Sequence, residues 1–255
     1  MIYEITDTSC AAPLFEGWEE TLIWSCLQGV MGKLYASDPQ HPHSAMAVLG
    51  DFTFLAGEPD CELIAYKPPQ CHQDFMIMIG QNEAWHNAIT AYYGSKAATV
   101  SRYAIKKEPG IFDTNKLEEM VSALPAGHRI DLIDEPLFHL CRSQTWSADL
   151  VSQFKDYTAY KQWGLGIVIR KNGVILSGAS SYASYHGGIE IEIDTREDCR
   201  RQGLATVCGA RLILECLKRN LYPSWDAQNL WSVSLAEKLG YHYSHTYQAI
   251  EIRGY

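Results

Sequence analysis

Apolar residues Leu22, Ile23, Cys26, Leu27, Val30, Met31 and Leu34 recur at spacings of three and four, which predicts an amphipathic helix over residues 18–34. The period then shortens. Residues 44–55 read as two short strands about a Gly50-Asp51 turn, and residues 75–79 as a third. Helical spacing returns over residues 84–92 and 116–124, with a strand-like run at 99–105 between them. The Leu-Pro-Ala-Gly segment at 124–127 interrupts the pattern, so a boundary is expected there, dividing the chain into residues 1–127 and 128–255.

The second part predicts a strand at 129–133, a helical patch ending near Phe154, and strands at 165–170, 174–181 and 189–195. Lys171-Asn172-Gly173 suits a hairpin between the first two of these three. A long helix over 203–219, a short strand at 223–226, a helix ending at Leu239 and a final strand at 241–252 complete the chain. This order predicts an α/β chain in which helices flank a mainly antiparallel mixed sheet.

Composition narrows the classes of function. A formal net charge of −9, with 21 Lys and Arg that form no long basic block, disfavours binding to nucleic acid or to an anionic membrane. An anionic ligand must then be held locally, as backbone amides at a helix N-terminus can do. The eight cysteines show no CxxC pair and sit in or beside apolar segments, which suits reduced, buried thiols. No basic stretch followed by an apolar run opens the chain, and no apolar run has the length of a membrane span, so a cytoplasmic protein is expected.

The most informative stretch is residues 190–210, where a strand of alternating Ile and carboxylate runs through a polar turn into an apolar-periodic helix. Arg200, Arg201, Gln202, Gly203, Leu204, Ala205 and Thr206 cross from loop to helix. Gly203 lets a ligand approach the backbone, and the N–H groups of the first turn, with the helix dipole and the two arginines, suit a pyrophosphate. Strand period sets Glu190, Glu192 and Asp194 opposite Ile189, Ile191 and Ile193. Glu190 and Glu192 are candidate general bases; three carboxylates in this pattern also fit a solvated sheet face.

Arg200, Gly203 and Ala205 match the Q/R-x-x-G-x-G/A phosphate loop of the GNAT superfamily, and NLWSVSLAEKLGY resembles that family's second cofactor segment. EIEIDTREDCRRQGLAT, YPSWDAQNLWSVSLAEKLGY and SAMAVLGDFTFLAGEP are similar to the branch that includes the zwittermicin A resistance acetyltransferase. The resemblance implies a GNAT fold in residues 128–255, with a splay between the strands at 189–195 and 223–226 that holds acetyl-CoA. It implies cofactor contacts at Ile193, Thr195, the 200–206 loop, Asn229 and Ser232, and direct N-acetylation of a small-molecule amine, an antibiotic or amino metabolite. The Tyr that many members carry seven residues after the Asn, as acid for the departing thiolate, is Ala236 here. Tyr241, Tyr243, Ser234 or water is left for that step. Residues 1–127 would shape the acceptor pocket as a worn copy of the same fold, in which some strand splay is expected.

Other chemistry is set aside. His41, His43, Cys71 and His72 match no zinc spacing, so no metal is expected. Cys199 and Cys208 have no His or acid at a recognisable spacing, and Cys208 reads as helix core. Trp225 and Trp231 are divided between packing and covering the ligand. The rival readings are a non-catalytic acyl-CoA-binding or sensing module, and an interaction protein without CoA affinity. A monomer or homodimer is expected.

Overall fold

The computed structural model describes residues 1–69 and 71–255. After a short strand, β1 (Tyr3–Ile5), the first apolar-periodic segment is helical only in part: α1 spans Thr21–Leu27. Gly29 and Gly32 take left-handed backbone, φ 67° and 76°, and Leu34 continues in a strand, β2 (Lys33–Ala36). The spacing of Val30, Met31 and Leu34 imitates a helix that these glycines stop. At Gly32 a Cβ would lie 2.5 Å from Cys26 Sγ and 2.7 Å from the Val48 carbonyl, so space as well as φ selects glycine.

β2, β3 (Ser44–Leu49) and β4 (Phe52–Gly57) follow as an antiparallel series, with β1 on the outer edge of β2. A short helix, α2 (Cys61–Ala65), then leads to β5 (Phe75–Gly80), which runs parallel to β4. α3 (Glu83–Tyr93) and β6 (Ala97–Ile105) come next. Met46, Leu55, Met76, Met78, Trp85 and Ile89 form the centre of this core.

The remaining elements are α4 (Thr114–Ser122), β7 (Arg129–Leu132), α5 (Glu135–Arg142), α6 (Tyr157–Trp163), β8 (Gly166–Lys171), β9 (Val174–Tyr185) and β10 (Gly188–Thr195). Then come α7 (Leu204–Leu217), β11 (Tyr222–Ser224), β12 (Asp226–Ala227), α8 (Leu230–Leu239) and β13 (Tyr243–Arg253). The hairpin between β8 and β9 turns through Asn172 and Gly173, both left-handed at φ 51° and 82°, as its sequence predicts. One sheet has the order β11-β10-β9-β8-β7. Its core joins Ile167, Ile169, Ile189 and Ile191 to Val207, Cys208 and Leu212 of α7.

The compact units are Met1–Arg102 with Thr246–Tyr255, and Tyr103–His245, so the division does not fall at residues 124–127. The reason is packing. Leu117 of α4 is buried in the core of the second unit, while Ile250 and Ile252 of β13 are buried in that of the first. A proline-glycine segment marks a turn, and here that turn lies inside a unit.

The two units repeat one order: a strand, helical segments, three antiparallel strands, a helix, and a strand parallel to the last of the three. A worn copy is expected to show some strand splay in residues 1–127, and the absence of a splay between β4 and β5 counts against that reading. β4 and β5 stay paired to Leu55↔Gly80, and Gln81 N–H still donates to the Leu55 carbonyl at 2.9 Å. The start of α2 is also closed to an anion, because the Asp60 carboxylate accepts from Glu62 N–H and Leu63 N–H, with Glu62 beside it.

Candidate functional site

β10 and β11 pair in parallel over Gly188↔Tyr222, Ile189↔Pro223 and Glu190↔Ser224, and then part. The strand predicted at 223–226 is broken at Trp225, beyond which Asp226 and Ala227 pair with Ala104 and Tyr103 of β6. Trp225 stands at the break. Its ring is buried against Tyr241, its Nε1 donates to Ser232 Oγ at 3.1 Å, and the chain turns around it. On the other side of β10 the register slips between Glu190↔Ala183 and Ile191↔Ser181, leaving Tyr182 as the extra residue of a bulge. Among the described residues, no strand covers the edge of β10 that β11 leaves beyond Glu190.

The two faces of β10 differ. Ile189 and Ile191 are buried, Ile193 packs on the same core, and Thr195 Oγ1 lies 2.7 Å from Ser177 Oγ. The opposite face carries Glu190, 7% exposed, with Glu192 and Asp194 half-buried. This is not a solvated sheet face. Ser180, across from Glu192, is 2.9 Å from the Tyr160 hydroxyl, and Leu150 crowds Gly178, across from Asp194. Burial, helped by Asp149, raises the Asp194 carboxyl above its ordinary range.

α7 starts without a cap. The other helices from α2 to α8 begin on Asp60, Asn82, Asp113, Asp134, Asp156 and Asn229, and each of these side chains accepts a first-turn N–H. α7 begins on Gly203 at φ 80°, with no capping side chain and no acidic residue in its first turn. A Cβ at Gly203 would meet nothing within 4 Å, so φ alone requires glycine there, and the backbone stands open. Arg201 is also left-handed, at φ 61°. Arg200 Nε donates to the Thr195 carbonyl at 3.3 Å, and Gln202 Nε2 to the Asp198 carbonyl at 3.4 Å. Arg200, Arg201, Gln202 and Gly203 are exposed, Ala205 and Thr206 half-buried, and Leu204 is buried in the core, where it anchors the turn. Lys238 of α8 reaches this end, its Nζ 3.4 Å from Thr206 Oγ1. No spacing links residues 206 and 238, so only the packing of α7 with α8 reveals that cation.

A family model described as GNAT acetyltransferase matches residues 12–250. The chain belongs to this family. It is 24% identical over 247 residues to an uncharacterized N-acetyltransferase, YdfB, of Bacillus subtilis (strain 168), covering 87% of this chain and 86% of the relative. A solved GCN5-related N-acetyltransferase-like protein from Streptococcus suis 89/1591 is 46% identical with a TM-score of 0.91, over 97% of this chain and 98% of that one. A GCN5-related N-acetyltransferase from Kribbella flavida shares the fold, with a TM-score of 0.56 at 16% identity, over 91% of this chain and 94% of that one. Family membership and the relatives' names support acyltransferase activity. No helix among the described residues is long and apolar enough to cross a membrane.

The residues sought for the GNAT acid step fall unevenly. Ala236, at the position that is Tyr in many members, is fully buried in the core, so α8 presents no side chain to the splay from there. Tyr241 is a poor candidate too. It is 1% exposed and its hydroxyl donates to the Pro223 carbonyl at 2.6 Å, while burial raises its pKa, so its work is to hold β11. Ser234 bonds back to the Leu230 carbonyl within α8. Of the three hydroxyls, solvent reaches Tyr243, 38% exposed, and Ser234, whose proton is already donated within α8. Asn229 Oδ1 caps α8 by accepting from Ser232 N–H at 3.0 Å, and Ser232 Oγ receives the Trp225 indole. These two residues therefore shape the turn after β11.

The cysteines carry no part of the site. Cys208 is buried in α7, and burial pushes its thiol up to about 12; Cys141 and Cys216 are likewise held near about 12. Cys61 is exposed and Cys10 half-buried, while the other six are buried. Titration of the native protein with a disulfide reagent is expected to modify Cys61 and Cys10 quickly, and the rest only after denaturation. Rapid native reaction at Cys199 or Cys208 would reopen the thiol nucleophile reading.

Proposed function

We propose that this chain transfers an acetyl group from acetyl-CoA directly to an amine of a small molecule, in the cytoplasm. The observation that carries the reading is the uncapped first turn of α7 behind a glycine with open space around it, in a chain whose neighbouring helices are capped by their own side chains. Those amides and Arg200 suit a diphosphate, and Lys238 adds a cation beside Thr206. The exposed edge of β10, with Ile193 and Thr195, suits the pantetheine arm. Bound there, acetyl-CoA supplies an activated acetyl thioester.

Glu190 sits where β10 and β11 part and is the group best placed to accept the proton of an attacking amine, with Glu192 next along the face. Backbone amides of β10 polarise the acyl oxygen, and Gly188–Thr195 gives them a rigid support. Proton delivery to the departing sulfur falls to Tyr243 or water. An ordinary thiol titrates near ~8.5, so this step needs no strongly tuned acid. The charge of −9 favours a cationic acceptor, and the similarity to the zwittermicin A resistance branch favours an antibiotic or other amino metabolite over a nucleic acid or a membrane surface.

The buried Ala236 favours one second reading, a non-catalytic acyl-CoA-binding module. Incubating the purified chain with acetyl-CoA and a panel of polyamines, aminosugars and amino acids, and following free thiol, separates the two. Amine-dependent thiol release is expected. Binding without release for any amine would favour the sensing module, and no thermal shift with acetyl-CoA would overturn both.

A further inference from the structure

α8 begins with two apolar side chains in solvent: Leu230 is 64% exposed and Trp231 82%. An indole so placed adds little to folding and leaves its ring faces open to a ligand. Helical period puts Trp231 on one face with Ser234 and Lys238, about 10 Å from Trp231 to Lys238 along the axis. Lys238 is the residue whose ammonium lies 3.4 Å from Thr206 Oγ1, in the first turn of α7. One exposed helix face thus carries an indole at one end and, at the other, a cation beside the uncapped amides.

A nucleotide offers the two matching groups, a base with π-faces and phosphates of negative charge. A second copy of the chain fits less well. Within α8 the exposed large apolar side chains are Leu230 and Trp231, beside exposed Ser234, Glu237 and Lys238, and two such side chains fall far short of the roughly 800 Å² per partner of a stable interface. Resting on the acetyl-CoA reading above, we propose that this face of α8 binds the nucleotide end of the donor, Trp231 stacking on the adenine and Lys238 bonding a phosphate. The face then selects full-length CoA thioesters over shorter thioesters of the same acyl group.

The test compares acetyl-CoA with S-acetylpantetheine, which keeps the thioester and lacks the nucleotide, on the native chain and on Trp231→Ala, Trp231→Phe and Lys238→Ala. Trp231→Ala is expected to raise the Kd for acetyl-CoA about tenfold or more, Trp231→Phe to restore most of the loss, and neither to change KM for S-acetylpantetheine. Lys238→Ala should weaken acetyl-CoA alone, and more so at low salt. Unchanged melting temperatures would show that the variants fold. Acetyl-CoA affinity unaffected by Trp231→Ala overturns this inference alone, as does equal loss for both donors. A native dimer that Trp231→Ala dissociates with no change in acetyl-CoA affinity would make the patch a self-association surface instead. A native chain that binds neither donor overturns the acetyl-CoA reading, and this inference with it.

Discussion

A Gly203→Glu variant is expected to bind acetyl-CoA about 100-fold more weakly than the native chain, or not measurably, while still folding. Gly203 has φ 80°, and a side chain built on it meets nothing within 4 Å, so the substitution brings no steric clash. The backbone strain of a non-glycine residue there costs roughly 1–2 kcal/mol of stability. The loss of binding has a different source. A carboxylate at the mouth of α7 offers its own oxygens to the first-turn amides, as Asp60 does at α2, and repels the diphosphate. Each charge-assisted hydrogen bond to a ligand is worth about 1.5–3 kcal/mol, so losing even one or two reaches the expected factor. Gly203→Ala is the control, carrying the same φ strain without charge. Calorimetric titration should show Ala binding within several-fold of native and Glu not; equal affinities for the two variants would put the phosphates elsewhere.

Much of the candidate site's local structure was legible in the sequence because its signals are local. A glycine at the start of an apolar-periodic run, with arginines before it, is a property of consecutive residues, and alternation fixes which side chains share a strand face. The structure keeps both: Gly203 opens α7, and Ile189, Ile191 and Thr195 face the helix while Glu190, Glu192 and Asp194 do not. What failed was tertiary. Leu34 carries helical spacing but sits in β2, because Gly29 and Gly32 turn the chain. Tyr241 is one of the groups left for the acid step, yet its hydroxyl is taken by the Pro223 carbonyl. The boundary near residue 127 was misjudged because α4, before it, packs on α7. The proximity of Lys238 to Thr206 depends on how two helices pack, and no periodicity within either helix encodes it.

Glu190→Gln is expected to lower kcat by about 10²- to 10⁴-fold with little change in the KM for acetyl-CoA, the span typical of a lost general base. The position argues for this size of effect. Glu190 is the last residue of β10 still paired with β11, and it is 7% exposed, so a base there meets the amine in a site largely closed to competing water. Glutamine keeps the shape and some hydrogen bonding but takes no proton. The pH profile separates this role from a structural one. In the native chain a carboxylate must be ionised to accept the proton, so the rate should fall on the acid side as that group protonates. In Glu190→Gln the limb belonging to it should vanish, leaving the titration of the amine itself, and added small bases such as imidazole should recover part of the rate at high pH. A uniform loss with an unchanged profile would mean that Glu190 only supports the strand. Retention of full activity, with the corresponding loss in Glu192→Gln, would move the base one step along the same face, to a half-buried carboxylate opposite Ser180 and beyond the point where the strands part.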